Sequence, residues 1–101
     1  MKNMPMENSK EISNALATYF ALPDGENNFE VVRQKLIEEI QYLIDYDLDK
    51  LWSVLYRIDV AEKKVKSVIS NTPYNKHAAH IADLIIHRQQ EKIISRKKYK
   101  A

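Results

Sequence analysis

The sequence predicts an all-α fold, a single small bundle of four to five antiparallel helices. Three observations carry that expectation. One glycine and three prolines punctuate 101 residues, fewer turn residues than a β-rich chain of this size needs. Strict apolar–polar alternation is missing. Apolar residues recur instead at steps of three and four along most of the chain.

Residues 1–7 are polar with scattered Met and one Pro, and are expected to form a flexible N-terminal tail. Residues 8–101 form the single domain. A first helix is expected over residues 9–21. Asn8 and Glu11 have capping-box spacing, and Ile12, Leu16, Tyr19 and Phe20 make one stripe. "LPDGENN" ends it, because Pro cannot continue the ladder and Asp-Gly favours a turn.

A second helix is expected over residues 28–46, with Asn27 and Glu30 as its capping box. Phe29, Val32, Leu36, Ile40 and Leu43 form its stripe, widened by Ile37 and Ile44. A third helix follows over residues 48–58, with Leu48, Leu51, Trp52, Leu55 and Ile58 on one face. The two stripes, projected on one continuous helix, differ by roughly 75°. A break at Asp47 explains the jump. Its carboxylate would accept from the amides near Lys50, and Asp49 would sit at the positive end of the new helix.

Asp59 followed by Glu62 signals the start of a fourth helix, whose apolar side is Val65, Val68 and Ile69. "SNTPYN" ends it, Pro73 biasing Thr72 away from helical geometry. The last helix is expected over residues 76–98, with Ala78, Ile81, Ala82, Leu84, Ile85, Ile86, Ile93 and Ile94 as its apolar positions. The expected core comprises Leu16, Phe20, Phe29, Val32, Leu36, Ile40, Leu43, Leu51, Trp52, Leu55, Ile58, Val68, Ile81, Ile85 and Ile93.

Composition bounds the function classes. Hydrophobic residues at 45% and charged residues at 30% suit a globular chain, not a disordered one. Without cysteine there are no disulfides, iron–sulfur clusters or thiol catalysis, and zinc would need His and carboxylate ligands. The N-terminal segment lacks the apolar core of a signal peptide, and no run approaches the ~20 apolar residues of a membrane span. A cytoplasmic protein with no membrane role is expected. Net charge is only +2, but the charge is unevenly spread. Residues 24–49 carry eight acids against Arg33 and Lys35, whereas residues 88–101 carry six bases against Glu91.

Four groups of residues invite a functional reading. Asp45, Asp47 and Asp49 alternate like the first ligands of a calcium loop. Lys50 and Tyr56, however, stand where such a loop requires Gly and a bidentate Glu. His80, Asp83 and His87 fall within roughly 60° on the last helix and are candidate ligands for zinc or a similar ion. That face lies opposite the apolar one, so a solvated polar surface is the stronger expectation and no metal or other cofactor is assigned. In "LWSVLYRID", Trp52 has the phase of a core aromatic, and Arg57 lies on the polar side within reach of Glu39 or Asp83. Arg96, Lys97, Lys98 and Lys100, with Tyr99 available to stack, are candidates for contact with nucleic acid. Cations at a helix C-terminus also stabilise the helix dipole without any ligand. No phosphate loop and no triad motif is present, and no catalytic residue is assigned.

"LYRIDV" (residues 55–60) and "IADLIIHRQQEKIISRKKY" (residues 81–99), with the helix before them, resemble a family of short uncharacterised all-helical proteins of Bacteroidetes-type bacteria. The resemblance spans residues 29–99. It implies a cytoplasmic helical domain and carries over no activity and no site residue. The leading expectation is a non-enzymatic protein-interaction or regulatory module, with self-association as one form of partnering. Nucleic-acid binding through the basic end is the second reading. A metal-dependent enzyme using the His80/Asp83/His87 face is the third.

Overall fold

The computed structural model describes residues 9–22 and 24–99, the last of these by its backbone alone. Five helices and no strand occur among them: α1 (Ser9–Leu16), α2 (Phe29–Tyr46), α3 (Leu48–Ile58), α4 (Glu62–Asn71) and α5 (Tyr74–Tyr99). The expected tail, Asn8 and Pro23 lie outside the described residues.

At 26 residues and ~1.5 Å per residue, α5 is ~39 Å long, nearly the 41 Å of the longest molecular axis. Each of the other four helices packs on it. Polar contacts give the directions. Arg33 of α2 meets Asp83, whereas Asp45, further along α2, meets Tyr74, so α2 and α5 are antiparallel. Val32, Leu36, Ile40 and Leu43 of α2 join Ala78, Ile81, Ala82, Ile85 and Ile86 of α5 in one continuous core. Small residues at 78 and 82 and branched ones at 81, 85 and 86 interlock without polar atoms.

α1 is shorter than expected. Beyond Leu16 the ladder tightens into three-residue turns, Thr18 N to Ala15 O at 3.2 Å and Tyr19 N to Leu16 O at 2.9 Å. The following loop folds back onto the helix. Gly25 N donates to Asn14 Oδ1 at 2.6 Å and Glu26 N to Ser13 Oγ at 3.2 Å. Gly25 takes φ +75°, the left-handed conformation its missing side chain permits. Phe20 still reaches the core from the turn.

The cap of α2 is Asn28, one residue later than expected. Its Oδ1 accepts from Glu30 N at 2.9 Å and Val31 N at 3.3 Å, and Glu26 supplies the reciprocal carboxylate to Asn28 N. Tandem asparagines leave the register undecided until the preceding loop is placed. At Asp47 the expectation holds. Its N–H donates to Leu43 O at 2.8 Å, closing α2, and its Oδ1 accepts from Lys50 N at 3.2 Å, opening α3.

Asp59, expected to open α4, closes α3 instead. It adopts the left-handed conformation (φ 72°, ψ 43°), its N–H donates to the Leu55 and Tyr56 carbonyls, and Val60 N reaches Leu55 O. This is a Schellman-type end, in which Asp stands in for the usual Gly. The N-cap of α4 is Ala61, with no side-chain bond.

Phe29, Trp52 and Val68, expected inside, are only partly buried against the core edge. Leu48, expected on the buried face of α3, is 50% exposed, and Val54, off that stripe, is buried. The buried face of α3 centres on Leu51, Val54 and Ile58, rotated by roughly 80° from Leu48. That rotation turns the Leu48 flank of α3 away from the core and leaves a gap on the side of α4.

Candidate functional site

The residues singled out by sequence are mostly occupied in holding the fold. Asp47 is the α2–α3 cap. Asp45 accepts from the Tyr74 hydroxyl and from Gln41 Nε2, the latter at 3.2 Å. Asp49 is exposed in the first turn of α3. Asp83 is bound by two nitrogens of Arg33, at 2.8 and 3.1 Å, and His87 Nε2 lies 3.3 Å from Glu91. His80 is exposed. Among the described residues, no group of three or more His, Asp or Glu side chains is placed to hold one metal ion.

Arg57 pairs with neither Glu39 nor Asp83. Its guanidinium lies 5.1 Å from the centre of the Tyr19 ring, a cation–π contact between α3 and the turn after α1. At the basic end, Lys97 is tied to Glu11 at 3.1 Å, which fastens α1 to α5. Arg96 and Lys98 are exposed, and Lys100 lies outside the described residues.

The cross-helix ion pairs went unpredicted because their partners lie far apart in sequence. Arg88 bonds the backbone oxygen of Asp59 at 3.1 Å and its carboxylate at 2.9 Å, and also reaches Glu91 at 3.2 Å. These carboxylates raise the Arg88 pKa, Asp59 foremost, as the hydrogen bond to Asp83 raises that of Arg33. Arg88 thus holds the non-glycine left-handed turn between α3 and α4.

An apolar concavity lies between α3 and α4. α3 and α4 are consecutive, yet each packs on α5 more than on the other. They splay from the turn at Asp59 and leave a groove of about 240 Å³. Leu48, Leu51, Trp52 and Leu55 form one wall, Val65 and Ile69 the other, and Ile44, Tyr74, His77 and Ile81 the floor and far end. A second cleft of about 270 Å³ continues it toward the turn, sharing Trp52 and Leu55 and ending at Asp59 to Glu62. Three of the large exposed apolar side chains, Leu48, Ile69 and Tyr74, rim the first cavity.

The polar groups at its open end are ordered. Tyr74 donates to Asp45, which raises the phenol pKa above its ordinary value. Its ring meets the edge of His77 at 5.7 Å. The His77 Nε2 lies 2.9 Å from Thr72 O. A carbonyl only accepts, so Nε2 carries the proton and Nδ1 is the acceptor when the ring is neutral. One trace of this groove is legible in the sequence: α4 has only three apolar positions across ten residues. No protein-family model, curated protein or solved structure matches the chain.

Proposed function

We propose that this chain is a non-enzymatic protein-interaction module that docks a partner segment in the groove between α3 and α4. The observation that supports this is the gathering of Leu48, Ile69 and Tyr74, all half-exposed, around one apolar concavity. Isolated surface leucines are ordinary, but a contiguous apolar groove with a polar rim is the form of a recognition surface. The absence of cysteine suits a reducing compartment such as the cytoplasm. The resemblance to short all-helical bacterial proteins adds no activity to this reading.

The test is a differential capture. Wild type, the Leu48→Asp/Ile69→Asp double variant and an Ile94→Asp control are compared as baits in cells that express the chain. Ile94 is 53% exposed on α5 and does not line the groove. Proteins retained by wild type and Ile94→Asp but lost by the double variant support the reading. Identical sets for all three baits contradict it.

A further inference from the structure

The loop that returns onto α1 carries a reactive pair of residues. Asp24 is followed by Gly25, the only glycine of the chain. In an Asp-Gly pair the following amide nitrogen reaches the aspartyl Cγ with least hindrance, because the glycine has no side chain to stand in the way. The space around Gly25 is open, since a Cβ built there meets nothing within 4 Å. Asp24 is exposed, and its carboxyl makes no hydrogen bond or ion pair among the described residues.

The nitrogen, by contrast, is held. Gly25 N donates to Asn14 Oδ1 at 2.6 Å, a bond from the loop to α1 across 11 positions. An amide oxygen accepts a hydrogen bond but is too weak a base to take the proton away. The bond therefore fixes the plane of the peptide between residues 24 and 25. It also keeps on the nitrogen the proton that has to leave before that nitrogen can attack. The backbone beyond is held in the same way, Glu26 N by Ser13 Oγ at 3.2 Å and Asn28 N by the Glu26 carboxylate at 2.9 Å.

We propose that Asp24 is a site of spontaneous isoaspartate formation and that Asn14 restrains it in the folded chain. The conversion needs only water. Gly25 N bonds to Asp24 Cγ, the Cγ–OH bond breaks, and the amide proton leaves with that hydroxyl as water. Water then opens the cyclic imide. Attack at Cγ restores Asp24. Attack at the backbone carbonyl carbon leaves the chain running through Cβ and Cγ, longer by a carbon, with a free α-carboxylate and the same net charge. The longer link carries Gly25 and Glu26 away from Asn14 and Ser13, which loosens α1. Within that helix only Ile12 and Leu16 bring buried apolar side chains, and the other two buried residues are Ser9 and Ser13.

Peptide mapping that separates Asp24 from isoAsp24 tests this on the whole chain, incubated folded at neutral pH and, for reference, unfolded in guanidinium chloride. Asn14 is exposed and helical, so Asn14→Ala leaves the fold in place. Glu11→Gln is the control, because it cuts the tie from α1 to Lys97 and leaves the Gly25 bond untouched. Folded wild type should convert more slowly than the unfolded chain. Asn14→Ala should convert about fivefold faster than folded wild type, the factor that one hydrogen bond of ordinary net strength controls. Glu11→Gln should match wild type. Equal rates for Asn14→Ala and folded wild type overturn the restraint, as does an equal acceleration by Glu11→Gln, which would trace it to general loosening of α1. Absence of isoAsp24 from the unfolded chain and from Asn14→Ala overturns the site itself. The converted chain, separated from the unconverted, should exchange its α1 amides faster, and equal exchange overturns the link to α1.

Discussion

Tyr74 occupies the one position where the start of α5, the end of α2 and the mouth of the groove meet. Its hydroxyl donates to Asp45 and accepts from Gln41 Nε2, at 3.2 Å from the latter, so it joins the two longest helices at their adjoining ends. The folded phenol holds its proton above the ordinary value of 10.0, while the unfolded one releases it near that value. The latch therefore contributes fully below about pH 10 and is lost as pH climbs through the folded value. Tyr74→Phe should be less stable than wild type by a constant margin between pH 7 and 9, and the margin should vanish at higher pH. Urea midpoints across that range measure it. A margin unchanged at pH 11 would mean that packing of the ring, not the hydroxyl, is what matters.

Elements are bounded here by aspartates doing opposite jobs. Asp47 opens a helix through its side chain, and Asp59 closes one through its backbone. Asp47→Ala should cost ~1 kcal/mol, the usual worth of a side-chain N-cap, with Asp47→Ser retaining most of it. Thermal unfolding of the pair checks this, and equal stability of Ala and wild type would show that packing alone holds the corner. The Asp47 break was legible because the apolar phase jumps there and a capping residue stands at the jump. Asp59 was misread because its spacing to Glu62 mimics a capping box, while the signal for its actual role, Arg88, lies 29 residues away. Asn28 and the early end of α1 were illegible for the same reason. Both accompany the return of Gly25 and Glu26 onto Asn14 and Ser13, contacts between residues 11 and 13 positions apart.

Among the described residues the helices are organised around α5, with α2 as its principal partner, α3 packed on both and α4 packed on α5. Local periodicity revealed that every helix had an apolar side, and most of those residues are buried. It did not reveal that α3 and α4 fail to close on each other, because closure is set by how far α3 rotates about its own axis. The groove that results leaves Leu48 and Ile69 half in water and gives α4 a single fully buried side chain, Val65. A helix so lightly anchored should open locally well below the free energy of global unfolding. Hydrogen exchange of the free protein measures this directly. The α4 amides should exchange ahead of those in α2 and central α5. Exchange of α4 in step with the core would contradict the account.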